Sequence, residues 1–334
     1  MKKKAAFILF ILLIGISHAQ KKSKDFPVLK GPYLGQKPPG NTPEVFEPKI
    51  VSTGLDELNS VFSPDGREFY FCVRNFSGTV SIFQMKMEKE NWSQPKLLPF
   101  ASGYGDIDVT ISPDGNKILF SSKRPIPGSD KPKEDNDFWM VKREGNTWGE
   151  PIYLGEDINS NSHDYYPMMT NSGTIYFSSQ REGPGTNNIY RSECVDEKYS
   201  KGVKLGEAIN TEHREFDPYI SPDESILIFT SNRPEGFGSG DLYISFKDKE
   251  SNWMKAKNMG DKINTPGSEY CPMISPDGKY LFFTSAGRNG RRIPDKPFTY
   301  EDFKKYHNSS KNGLSDIYWV DAKIIEELKP NELK

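Results

Sequence analysis

One tetrapeptide recurs along this chain, and its spacing limits the possible folds more than any other feature. Ser-Pro-Asp-Gly stands at 63–66, 112–115 and 275–278, with a Ser-Pro-Asp-Glu variant at 221–224. A degenerate copy, Thr170-Asn171-Ser172-Gly173, fills the remaining gap, so that start-to-start distances are 49, 58, 51 and 54 residues. A period of this length marks a chain of repeated supersecondary units rather than one layered core. Each copy is tight-turn chemistry: Pro fixes φ at the first corner, Asp bonds back to the backbone, and Gly takes the positive-φ position. A short apolar run such as Tyr219-Ile220 or Met273-Ile274 precedes each turn, and an alternating strand such as Ile118-Leu119-Phe120 or Tyr280-Leu281-Phe282-Phe283 follows it.

A third strand comes next, as in Asp241-Leu242-Tyr243-Ile244 and Asp316-Ile317-Tyr318-Trp319, and a fourth, as in Pro151-Ile152-Tyr153-Leu154. Four-stranded antiparallel meanders in tandem predict an all-β, five-bladed β-propeller. A six-bladed ring is the alternative, but it would need strands from residues 20–46, which read as a Pro/Gly-rich leader (Lys37-Pro38-Pro39-Gly40). The last copy has only three strands before the pattern ends at Ala322. Because Pro48-Lys49-Ile50-Val51 resembles the fourth strands at 151–154 and 202–205, residues 47–52 are expected to close the last blade. The expected organisation is a signal peptide (1–19), the leader (20–46), the propeller (47–321) and a C-terminal tail (322–334).

The first residues carry the export signal. Lys2, Lys3 and Lys4 precede an apolar run from Ala5 to Ile16, and Ser17-His18-Ala19 places small residues where a signal peptidase reads, which predicts cleavage after Ala19. The run is short for a bilayer span, no second one follows, and no Cys at the cleavage site invites a lipid anchor. A periplasmic or secreted protein is expected, with no transmembrane segment. Lys plus Arg (44) nearly balance Asp plus Glu (46), and cleavage removes three lysines and no acid, which argues against a nucleic-acid partner. Cys72, Cys194 and Cys271 have no CxxC spacing and read as free thiols within strands, and four His in the whole chain make a multi-His metal centre improbable. No cofactor or metal is expected, and a monomer is.

The pattern SPDG-x-x-(apolar)-x-F-x-S-x-R with its following Asp-(Ile/Leu)-Tyr strand resembles the TolB-like β-propellers, whose repeat is the "PD" variant of the WD repeat. The resemblance covers about residues 46 to 321. It implies the fold, and a non-catalytic exported module that binds a protein or envelope polymer; propellers host many activities, so it does not fix the function.

Aligning the copies exposes two charged columns. Glu57, Asp106, Asp164, Glu215 and Glu269 each precede an inner strand, while Arg124, Arg181 and Arg233 end the second strand, with Arg74 and Arg288 one register away. Hairpin geometry puts acid and Arg side by side at the end far from the SPDG turns. They are either structural ion pairs that pin the blades or a charged ring round the channel mouth, and a feature present in every blade favours the first. The loops on this face differ in length, at 124–136, 182–187, 234–240 and 286–315. The longest carries Arg288, Arg291 and Arg292 and then Thr299-Tyr300-Glu301-Asp302-Phe303, which starts like a capped helix. The expected binding face comprises both columns and this loop.

His163 beside Asp164, and His213 near Glu215, suggest a metal or acid–base site only if the fold brings them together. Asp130, Asp135 and Asp137 suggest Ca²⁺, although their spacing is not that of an EF-hand loop. No GxSxG, HExxH or phosphate-binding loop occurs. The alternative function is a carbohydrate-active hydrolase or lyase with carboxylates at the channel mouth. An Arg beside each acid lowers its pKa and opposes that chemistry, whereas a carboxylate couple without Arg in a deep cleft would favour it.

Overall fold

The computed structural model describes residues 26–288 and 297–334. Five antiparallel sheets follow one another along the chain, each beginning on an inner strand beside the central channel, so the protein is a five-bladed propeller. In blade 1 the strands Asp56–Phe62, Glu68–Arg74 and Val80–Glu88 run in order, with the short Asn91–Trp92 and Lys96–Leu97 on the outer edge. Blades 2, 3 and 4 open on Ile107–Ile111, Asp164–Met169 and Glu215–Ile220. Blade 3 carries an added hairpin, Cys194–Val195 with Lys198–Tyr199.

The turns form as their residues dictate. Ser63 Oγ donates to Asp65 Oδ1 at 2.6 Å and accepts from Glu68 N at 2.8 Å, while Gly66 sits at φ +67°. The same Ser–Asp bond recurs at Ser221–Asp223 (2.6 Å) and Ser275–Asp277 (2.8 Å). Glu224 takes the glycine position of its turn at φ +61°, and its carboxylate is held by Tyr176 Oη (2.9 Å) and Lys247 Nζ (3.1 Å). Those bonds offset the cost of a left-handed non-glycine residue.

Blade 5 consists of Ser268–Ile274, Tyr280–Ala286 and Ser315–Asp321, completed by an N-terminal strand. That strand is Glu44–Val45, paired to Trp319 and Tyr318, and not residues 47–52. The segment 47–52 instead coils into a turn, in which Ile50 N and Val51 N both donate to Glu47 O and Lys49 adopts φ +74°. Pro43, not Pro48, opens the closing strand, and Pro43-Glu44-Val45-Phe46 is the counterpart of Pro151-Ile152-Tyr153-Leu154. Ser52 then bridges Ile317, donating to its carbonyl (3.2 Å) and accepting from its N–H (3.1 Å). Asn210 makes the same bridge to Ile189, as Asn264 does to Leu242.

The leader packs against the ring. Leu34 and Phe46 are buried, and Phe46 lies edge-on to Phe69, Phe282 and Trp319 at centroid distances of 5.1–5.3 Å. Trp92 Nε1 donates to Gly31 O (2.8 Å) and Tyr33 Oη to Asp277 (2.6 Å), so the leader from about residue 29 onward is packed on the junction of blades 5 and 1. Of the cysteines, Cys72 and Cys271 are buried, Cys194 is half-buried, and all are free. No helix among the described residues is long and apolar enough to cross a membrane.

Candidate binding site at the channel mouth

The two charged columns meet as buried ion pairs in four blades. Asp106–Arg124 (2.7 Å), Asp164–Arg181 (3.0 Å), Glu215–Arg233 (3.2 Å) and Glu269–Arg288 (3.5 Å) all have acids with no exposed side-chain surface. Each acid also accepts from the backbone N–H and hydroxyl of a Ser or Thr four residues earlier: Ser102, Ser160, Thr211 and Thr265. Each guanidinium lies over the aromatic rings of its own blade and donates to a carbonyl of the preceding loop, as Arg233 does over Tyr243 (4.6 Å) and to Ile209 O (2.7 Å). These carboxylates are fully occupied by internal partners. Their geometry is that of a clamp that holds each blade's first hairpin to the loop entering that blade. Arg291 and Arg292 lie outside the described residues.

Blade 1 departs from the unit. Glu57 keeps the short bonds from Thr53 but has no Arg paired to it among the described residues, and burial pushes its carboxyl up to about 7. Arg74 pairs with Asp56 at 3.0 Å and borders the channel mouth.

A third column lies two residues beyond the acids. Asn59, Asp108, Tyr166, Asp217 and Cys271 all adopt left-handed backbone, with φ between +50° and +60°. Each sits where the register between first and second strands shifts, which is a β-bulge repeated in every blade. Bulges re-aim side chains, and here they turn five dissimilar ones toward the axis. They also stitch the ring: Tyr166 N donates to Asp108 Oδ2 (3.1 Å), Cys271 N to Asp217 Oδ2 (3.3 Å), and Tyr166 Oη to Pro272 O (2.8 Å). Sequence reasoning missed this column because its residues share no chemistry; the usable signal was position, two after each acid.

Asp108 and Asp217 form the floor of a pocket of about 610 Å³ on the long-loop face. Arg74, Lys123 and Arg214 border it, with Tyr165, Phe216 and Tyr270 as aromatic walls. Asp108 is 3% exposed, and neither floor carboxylate has an ion-pair partner among the described residues. Burial, and for Asp108 also the charge of Asp217, raises both above the ordinary carboxylate range. Burial likewise raises the Cys271 thiol, which donates to Asp217 Oδ2 (3.4 Å).

Other expected features are placed apart from this floor. His163 accepts from Asn136 N (3.3 Å) and stacks on Tyr165, and burial lowers its pKa; His213 Nε2 lies 3.8 Å from Glu212. No cluster of three potential metal ligands occurs among the described residues. In the loop considered for Ca²⁺, the Lys133 ammonium stands between Asp137 (2.7 Å) and Asp135 (3.4 Å), in the place a cation would take. The 286–315 loop does contain a helix, Tyr300–His307, with a capping box between Thr299 and Asp302. Its C-terminal end rests on Gly54, where a side chain would collide with His307 O. The opposite, SPDG end of the channel is open too, as an apolar hollow of about 820 Å³ lined by Met168, Met169, Met273 and Tyr219 and flanked by the helix Lys323–Leu328.

Comparison with solved structures finds distant similarities. A putative TolB from Agrobacterium tumefaciens is 15% identical, covering 80% of this chain and 90% of that one, with a TM-score of 0.48. TolB from Acinetobacter baumannii is 13% identical over 80% of this chain and 57% of its own length, with a TM-score of 0.44. An endo-arabinase from Bacteroides thetaiotaomicron is 12% identical over 75% of this chain and 98% of that one, with a TM-score of 0.47. TolB propellers are thus among the neighbours, as the repeats implied, and a glycan hydrolase stands beside them. At these identities the likeness concerns fold alone. No family model and no curated relative matches the chain.

Proposed function

We propose that this chain is an exported, monomeric, non-catalytic propeller that binds a protein or glycan of the cell envelope on its long-loop face. One observation carries the reading. A preformed polar pocket, rimmed by Arg74, Lys123 and Arg214 and walled by aromatic rings, opens at the end of the channel from which the dissimilar loops rise. Concave sites with a few convergent polar groups and perturbed acids are the default recognition points of a rigid scaffold. The four ion-paired blades supply that rigidity, and the 286–315 loop extends the face with exposed Phe298 and Tyr300. Export rests on the signal-like sequence at 1–19. The test is capture from an envelope extract by immobilised protein. Wild type is expected to retain a defined component that the Arg74→Ala/Arg214→Ala double variant loses; equal capture by both moves the site elsewhere.

A carbohydrate hydrolase is the second reading, favoured by Asp108 and Asp217, a carboxylate couple with no Arg paired to either. It predicts release of soluble oligosaccharide from envelope glycan, abolished by Asp217→Asn. The binding reading predicts no release from either protein.

A further inference from the structure

The pocket combines charges of opposite sign at different depths. Its floor holds two carboxylates from blades 2 and 4, and its border holds three cations. Each floor carboxylate accepts through Oδ2 from a backbone N–H of the next blade, and its Oδ1 has no hydrogen-bond donor among the described residues. In the clamp column every acid of blades 2–5 has a guanidinium within 3.5 Å. The floor acids lack one, although left-handed backbone, costing about 1–2 kcal/mol per non-glycine residue, is tolerated to aim them there.

We propose that this pocket takes a zwitterion of amino-acid type, its primary ammonium directed at Asp108 and Asp217 and its carboxylate at Arg74 and Arg214. The inference deepens the binding reading above and rests on it. A simple anion would satisfy the border and leave the two floor acids facing each other. A simple cation would satisfy the floor and meet Arg74, Lys123 and Arg214 on the way in, of which only Arg74 has an acid paired to it among the described residues. Only a ligand carrying both charges complements both layers, and the aromatic walls suit the alkyl carbons between them.

The floor supplies a second signature. Burial of both carboxyls, and for Asp108 also the charge of Asp217, makes ionising the pair harder than ionising free carboxylates. Asp108 faces Asp217, Arg74, Cys72 and the Tyr165–Tyr166 segment; Asp217 faces Asp108, Arg214, Cys271 and Tyr165. The two thiols and the tyrosines are all raised by burial and stay neutral, so the carboxylate pair is the group that responds. An ammonium beside the pair favours its ionised form, so binding is accompanied by proton release.

The experiment is calorimetric titration of the full chain with L-lysine, cadaverine (no carboxylate) and hexanoate (no ammonium), in two buffers of different ionisation heat near neutral pH. L-lysine is expected to saturate with release of up to one proton, and to bind about tenfold or more tighter than either control. Asp217→Asn, which keeps an acceptor for Cys271 N, should remain folded by its melting curve and lose both binding and proton release. Arg214→Ala should bring L-lysine down to the level of cadaverine. The proposal is overturned if L-lysine does not saturate, if a control binds equally well, or if Asp217→Asn binds as wild type does. Should L-lysine fail while wild type still captures envelope material through Arg74 and Arg214, this inference falls and the binding reading stands; if capture fails too, both fall.

Discussion

Two columns run through the same five blades, only two residues apart in sequence, and they could hardly differ more. The outer one repeats its chemistry: an acid, a Ser or Thr four residues earlier and, in blades 2–5, an Arg on the neighbouring strand. The inner one repeats only its backbone, left-handed in every blade, while its side chains read Asn59, Asp108, Tyr166, Asp217 and Cys271. What every blade needs, every blade has, and such a feature is architecture. Where the backbone is held constant and the side chains vary, the ring becomes asymmetric, as recognition of one ligand requires.

The sharpest way to break this contrast is to damage each column in turn. Glu215→Ala should be the most destructive change. It leaves Arg233, whose side chain is 5% exposed, with no counter-ion, and it strips acceptors from Thr211 and Ser231. Loss of one partner of a buried pair costs about 3–5 kcal/mol, to be read from urea unfolding. A variant with wild-type stability would remove the architectural reading.

Blade 1 gives the next effect, with a pH dependence. Burial first, then the charges of Asp316 and Asp56, raise Glu57 to about 7, and burial raises Asp316 to about 6. Groups with folded pKa above the unfolded value stabilise in their protonated form. Their contribution is fully present below the unfolded pKa and is lost as pH rises through about 6 to 7. Stability should therefore fall between about pH 4 and pH 7, with Glu57 alone contributing on the order of 3 kcal/mol. Glu57→Gln should flatten that profile and raise stability at the alkaline end. An unchanged slope would place Glu57 in water.

Asp217→Asn should be milder still for stability, within about 1 kcal/mol of wild type, because its raised pKa already favours the neutral form. Ligand capture should nonetheless disappear. Tyr300→Ala, at a residue 74% exposed, should shift stability by no more than about 0.5 kcal/mol.

The same contrast explains what could be read in the sequence. The SPDG turns are local chemistry that needs no partner to be recognised, so blade number and strand order were legible. The clamp column was legible because it repeats. The closing strand was misplaced by matching composition rather than distance. The residue paired to the third-strand aromatic lies eleven positions before the acid in three cases (Tyr153, Lys204, Asn258), and Val45 lies twelve before Glu57. That count would have chosen Pro43 over Pro48. The packing of the leader was not legible because Gly31 and Tyr33 find their partners in blades 1 and 5, far along the chain. The floor of the site was invisible for the reason that makes it a site: its residues do not repeat, and only backbone geometry places them in one ring.

The central claim is that ligand enters at the bulge-ring end of the channel and not at the SPDG end. Photo-crosslinking in cells tests it most directly, with p-benzoylphenylalanine replacing Tyr104 at the polar pocket or Lys279 beside the apolar hollow. The account predicts an adduct from position 104, abolished when Asp217→Asn is added, and none from position 279. An adduct from position 279 alone would contradict it and transfer recognition to the apolar end.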